Sequence, residues 1–154
     1  MIGSCAPGSF QDKPGQADCI ECPDGQYQPT AGNSKCMSPP AGSYATNKAG
    51  KAKKCEPGSR CRAGVRVECP PGTVQPASGA VVCISCNDES TTPPIGDKVT
   101  RWQPVHGATG LDQCKKPSEC GVGQFVQAEV AYDHDRVCTE CPNGYFRFVL
   151  GRFC

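Results

Sequence analysis

Residues 22–36 read CPDGQYQPTAGNSKC, a stretch that opens and closes on cysteine and holds glycines at 25 and 32 around the pair Tyr27–Gln28. The same six positions return at identical spacing as Cys5, Gly8, Phe10, Gln11, Gly15, Cys19, and again as Cys69, Gly72, Val74, Gln75, Gly79, Cys83. Three matches at six fixed positions define a structural unit, C-x2-G-x-[FYV]-Q-x3-G-x3-C. Weaker copies surround it. PPAGSYATNKAGKAKKC (39–55) keeps Gly42, Tyr44, Gly50 and Cys55 but has Pro39 where the opening cysteine belongs. CGVGQFVQAEVAYDHDRVC (120–138) keeps Cys120, Gly123 and Phe125 in a longer loop, and CPNGYFRFVLGRFC (141–154) closes one residue early. Units start near 5, 22, 39, 55 and 69, a period of roughly 17 that shortens at the last step.

The positions imply a local structure. A glycine three residues after the opening cysteine takes positive φ and turns the chain tightly. The aromatic two residues later is expected to lie against the disulfide as a miniature core, and the second glycine serves the return turn. A two-stranded loop of this size is unstable alone, and closing about 15 residues with a bridge contributes about 3 kcal/mol in the chain-entropy view. Pairing within units gives Cys5–Cys19, Cys22–Cys36, Cys69–Cys83, Cys120–Cys138 and Cys141–Cys154. Cys86 and Cys114 then close the irregular stretch 87–113, and Cys55–Cys61 mends the copy that has Pro39. A rival map joins Cys61 to Cys69 and displaces the 69–83 bridge; spacing leaves both open.

Composition agrees with bridges in place of a core. The 154 residues hold 14 cysteines, 18 glycines, 15 prolines and one tryptophan, and the only leucines are Leu111 and Leu150. Cysteine at this density marks a disulfide scaffold, which persists in an oxidising setting, so the chain is expected outside the cell or at its surface. The opening MIGSCAPG has no basic region followed by an apolar run, so a signal segment is expected upstream in a larger secreted protein. No apolar stretch reaches the 18 or more residues of a membrane span.

The units C-x2-G-x-[FY]-Q…G…C, joined by C-x-x-C at 19/22, 83/86 and 138/141, resemble ephrin-receptor-like cysteine-rich repeats, and CEPGSRCRAG (55–64) resembles a variant of them. CKKPSECGVGQFVQAEVAYDHDRVCTECPNGYF is similar to a tumour-necrosis-factor-receptor cysteine-rich domain, with Asp135, Arg136, Val137 and Cys138 at its D-R-V-C ending. It departs from that pattern in having no cysteine near Val130. The resemblance implies a small disulfide-rich fold: an elongated tandem array of cysteine-rich loops with short β-strands and little helix. The organisation expected is two regular repeats over 5–36, degenerate and regular repeats over 37–86, an irregular Trp102-containing connector or longer module over 87–113, and receptor-like modules over 114–154.

No catalytic, metal or cofactor constellation is expected. The C-x-x-C pairs have zinc-like local spacing, but the interposed cysteines fit loop closure instead. His106 and the DHDR run at 133–136 lack any nucleophile context, so a solvated turn is the reading for His134. Lys48, Lys51, Lys53, Lys54, Arg60, Arg62 and Arg66 face only Glu56 within 45–66, a local excess that can attract acidic polysaccharide. Nucleic acid is not expected, because aromatics for base stacking are not interleaved with this patch. No N-x-[ST] sequon occurs, and Ser38, Thr91 and Thr92, beside paired prolines, are the candidate O-glycosylation sites. Phe148, Val149, Leu150 and Phe153 in the most apolar run are the candidate subunit contact. Repetition without unique chemistry points to a non-catalytic extracellular spacer, adhesive stalk or surface-fibre subunit. Its partners would be other copies or other extracellular proteins, with no membrane insertion by this segment. The alternative is a receptor-type ectodomain that binds a protein ligand through 114–154.

Overall fold

The computed structural model of the chain describes residues 4–87 and 99–143. Among them it is a small disulfide-rich fold of short antiparallel two-stranded sheets with no α-helix and one 3-10 turn, Leu111–Gln113. The units that open at 5, 22, 39, 55 and 69 start with a four-residue turn. The N–H of Ser9, Gln26, Ser43, Ser59 and Thr73 donates to the carbonyl three residues earlier, on Ala6, Pro23, Pro40, Glu56 and Pro70. The third residue of each turn is the glycine of the motif, with φ between +76° and +86°. Positive φ at that position, with Pro7, Pro57 or Pro71 before it, is the signature of a type II turn.

The strands follow directly from the turn. β1 (Ser9–Phe10) pairs with β2 (Ile20–Glu21), β3 (Ser43–Tyr44) with β4 (Lys53–Lys54), β5 (Ser59–Arg62) with β6 (Val65–Glu68), β7 (Thr73–Val74) with β8 (Ile84–Ser85), and β9 (Gln124–Ala128) with β10 (Val137–Glu140). The return strands β2 and β8 are the two residues between the cysteines of a C-x-x-C, and β10 ends on such a pair. That spacing therefore lets one cysteine close a loop and the next open another, with a two-residue strand between them.

Six disulfides occur among the described residues: Cys5–Cys19, Cys22–Cys36, Cys55–Cys61, Cys69–Cys83, Cys86–Cys114 and Cys120–Cys138. Cys141 is disulfide-bonded as well, and its expected partner Cys154 lies outside the described residues. The Cys61–Cys69 rival is not the map seen, because Cys61 occupies the motif's glutamine position, beside its own opening Cys55.

The chain divides into two compact units, one from Met1–Cys69 with Gln75–Cys83 and one from Pro70–Val74 with Ile84–Cys154. In the first, successive modules are fastened by three repeated backbone bonds. The first-turn glycine N–H donates to the carbonyl at the glutamine position of the next module, as Gly8 to Gln28, Gly25 to Ala45 and Gly58 to Gln75, at 2.7–2.8 Å. The N–H at the glutamine position reaches past the second turn of the next module, as Gln11 to Asn33, Gln28 to Ala49, Ala45 to Gly64 and Cys61 to Ala80. The second-turn N–H of Gly32, Lys48 and Gly79 returns a bond to the opening cysteine of the previous module, on Cys5, Cys22 and Cys55.

One of these second turns corrects the sequence alignment. The alignment gives Gly50 the return turn of the 39–55 copy, but Lys48 takes that place at φ +58°; in the next module Ala63 has φ +50°. Lys48 is held in the left-handed region by its stacking bond to Cys22 O, whereas Ala63 is there because it and Gly64 (φ +78°) form the two-residue loop between β5 and β6, a hairpin turn that needs positive φ at both positions.

In the second unit a small core joins Val74, Cys86, Ala108 and Cys114, with Ile84 packed against it. The stretch 87–113 lapses from the cysteine spacing, yet its described part continues the motif. Trp102, Gln103 and Gly107 (φ +70°) keep the aromatic-Gln-x3-Gly spacing, and Gly72 N–H donates to Gln103 O at 2.8 Å as Gly8 does to Gln28. The module differs by extra residues between Cys86 and Trp102 and before Cys114. Asn87 clasps its near end, donating to Arg101 O and accepting from the N–H groups of Thr100 and Arg101. The indole of Trp102 is half-buried, bridged to Lys115 by backbone bonds, and carries the Lys115 ammonium 5.5 Å from its centroid.

Candidate functional site

The miniature core expected at the [FYV] position is present at Val74, fully buried with Cys86 and Cys114, while in the copies of Tyr27 and Trp102 the glutamine rather than the aromatic is buried. Phe10 and Tyr27 are only half-buried, whereas Gln28, Gln75 and Gln103 are 2%, 4% and 0% exposed. The amide can do what a ring cannot, because it hydrogen-bonds backbone groups on both sides of the loop. Gln28 Nε2 donates to Lys35 O at 2.6 Å, and its Oε1 accepts from Thr30 N–H and Asn33 Nδ2. Gln75 repeats the pattern with Val82 O and Ala77 N–H, and Gln11 with Asp18 O and Lys13 N–H. The fixed spacing of Gln and closing cysteine within the three regular copies was the available signal for this clasp.

Of the seven basic candidates, two are neutralised by acids that the 45–66 window does not fully contain. Lys48 Nζ lies 2.6 Å from Glu21 Oε1, and Arg66 reaches Glu56 at 3.1 Å and Glu68 at 3.7 Å. The excess of positive charge read from the window is therefore smaller in the fold. Tyr44 Oη donates to Glu56 Oε1 at 2.9 Å. That hydrogen bond holds the Glu56 carboxyl below its ordinary range and pushes the Tyr44 phenol up. Arg60 and Arg62 sit opposite Val67 and Val65 on one face of the β5–β6 hairpin, whose other face buries Ser59 and Cys61.

Lys51, Lys53 and Lys54 make no ion pair among the described residues and are exposed. Successive residues of a strand point to opposite faces, and β4 obeys this. Lys53 lines a hollow of about 380 Å³ with Thr46, Asn47, Lys48 and Lys51. Lys54 lines a second, of about 450 Å³, with Tyr27, Pro40, Ser43 and again Lys51.

At the receptor-like stretch, Ser118 N–H and Oγ donate to the two carboxylate oxygens of Asp135 at 2.8 and 2.5 Å, and Arg136 N–H adds a third bond at 2.7 Å. The Ser118 hydrogen bond is the main reason that Asp135 is held below the usual carboxylate range. Arg136 continues the clasp to Glu129 and to Ser118 O, both at 3.3 Å. His134 Nδ1 meets Asp133 Oδ1 at 2.7 Å with both side chains more than half exposed, and His106 is exposed. The sulfurs of Cys19, Cys22, Cys83 and Cys86 are all in disulfides. Among the described residues no group of three or more His, Cys, Asp or Glu is placed to hold a metal ion. Ser38 is exposed. Thr91, Thr92, Phe148, Val149, Leu150 and Phe153 lie outside the described residues.

Residues 8–56, from the first-turn glycine of one module to just past the opening cysteine of the fourth, match the family described as tyrosine-protein kinase ephrin type A/B receptor-like. With six disulfides among the described residues, this match over 8–56 fits an ephrin-receptor-like cysteine-rich repeat family. The matched span takes in the 39–55 copy, whose Pro39 leaves that ephrin-receptor-like module without an opening cysteine. The family match and the disulfides mark an extracellular type of domain, and among the described residues no helix is long and apolar enough to cross a membrane. No curated protein matches the chain.

Proposed function

We propose that this chain is a non-catalytic structural segment of an extracellular protein, serving as spacer, adhesive stalk or surface-fibre subunit. The observation that carries this reading is the three-bond ladder between modules of the first unit. It uses backbone groups only, so it recurs where the motif residues themselves have changed, at Ala45, Lys48 and Cys61. A stack fastened in this way keeps its spacing without a conventional core, which is what a spacer requires.

The test is a distance distribution. Non-cysteine spin labels on the exposed residues Lys13 and Ser78 of the oxidised full chain should give one narrow distance, broadened by full reduction. A broad distribution in the oxidised protein would remove the spacer reading. If the immobilised full chain instead captures a soluble protein that protects 114–143 from hydrogen exchange, the receptor ectodomain reading replaces it.

A further inference from the structure

Three exposed ammonium groups, on Lys51, Lys53 and Lys54, stand within four residues and have no ion-pair partner among the described residues. None of the three charges is matched by an ion pair, so an anion that reaches all three would be attracted by each. The geometry selects an extended anion over a single small one, because Lys53 and Lys54 line different hollows and Lys51 belongs to both rims. A ligand that engages all three must run from one hollow across Lys51 into the other.

The linings narrow its chemistry. The first hollow is lined by the polar residues Thr46 and Asn47 beside its lysines, and the second by Tyr27 and Pro40 beside Ser43. Hydrogen-bonding groups on one side and apolar faces on the other suit a pyranose, which has hydroxyl edges and a hydrophobic face. A nucleic acid strand would need successive aromatic platforms, and Tyr27 is the single aromatic in the two linings. We propose that the paired hollows astride β4 bind an acidic polysaccharide, a sulfated or uronic-acid chain laid across Lys51. This inference is independent of the spacer reading, since a receptor ectodomain could carry the same site.

The test uses the oxidised full chain with a heparin-derived octasaccharide and, for comparison, a polyglutamate of matched charge, followed by calorimetry over a salt series and by NMR shift mapping. The variant Lys51→Gln/Lys53→Gln/Lys54→Gln is expected to weaken octasaccharide binding about tenfold and to reduce the slope of log affinity against log salt by about two. The control Lys13→Gln/Lys116→Gln, which makes the same kind of charge change elsewhere, should move affinity less than about twofold. Shifts are expected at Thr46, Asn47 and Tyr27. Lys51→Gln alone, the milder change should the triple variant misfold, is expected to cost about twofold. The proposal is overturned if the octasaccharide does not bind at low salt, or if the lysine variants leave its affinity unchanged. Equal losses in both variant sets would also overturn it, as would polyglutamate binding as tightly as the octasaccharide.

Discussion

Gly42→Ala tests the stacking of the modules at its tightest point. Gly42 has φ +76°, and a Cβ added there would lie 2.1 Å from Gly79 O and 2.8 Å from Gly79 C. Gly79 is the second-turn residue two modules further on, and its backbone cannot rotate away as a side-chain tip could. Two costs add. The left-handed conformation costs an alanine about 1–2 kcal/mol, and relieving the overlap by shifting packed backbone costs about 1–3 kcal/mol more. Gly15→Ala is the control, since Gly15 has φ +81° but a methyl added there would meet nothing within 4 Å, which leaves the conformational cost alone. Hydrogen exchange in the oxidised protein reads the difference at the Gly79 amide, which is bonded to Cys55 O at 2.7 Å. At about 1.4 kcal/mol per factor of ten, Gly42→Ala should speed exchange there by about a hundredfold. The same readout at the Gly32 amide, on the module next to Gly15, should change about tenfold or less in Gly15→Ala. Equal effects of the two substitutions would show that the close approach of Gly42 and Gly79 does not hold the stack.

Ala63→Gly should raise the stability of the first unit by about 0.5–1 kcal/mol, because Ala63 is held at φ +50°; a drop in thermal midpoint would contradict this. Gln28→Leu keeps the volume of the buried side chain but strands Lys35 O and Thr30 N–H, so a cost of about 2–3 kcal/mol is expected. Native-state proteolysis within 29–35 should rise accordingly, and unchanged cleavage would refute the clasp. Asp135 and Glu56 are held below their ordinary values of 3.8 and 4.5. Their contributions are therefore complete above those values and are lost as pH falls through the lower folded ones. Tyr44, raised above 10.0, contributes below that pH and loses its contribution as pH rises through the higher folded value. Thermal melts of Asp135→Asn should show a flatter acid limb than the parent, and an identical limb would remove Asp135 from the account.

Much of this fold was legible because its rules are local. The first turn needs only a glycine at a set distance from a cysteine, and a loop of 14 or so residues brings its own ends within reach of one bridge. Six positions repeated at fixed spacing therefore conveyed the turns, the short strands and the unit boundaries of Cys5–Cys19, Cys22–Cys36 and Cys69–Cys83. The continuation at Trp102, Gln103 and Gly107 was also present in the residues, but extra chain on either side breaks the cysteine spacing that marks the other units. The basic patch was legible as a count and not as a surface, since Glu21 is 27 residues from Lys48 in the chain and a few ångströms away in space.

What the amino-acid order determined by itself is the module: a type II turn, a two-residue return strand and a loop that one disulfide can close, all set by contacts within about 15 residues. What tertiary structure alone decided is how modules meet. The ladder bonds run between backbone groups, which every residue carries, so no residue identity announces them. They place Lys48 in a turn that favours glycine, bring Gly42 against Gly79, and distribute Lys51, Lys53 and Lys54 around two hollows.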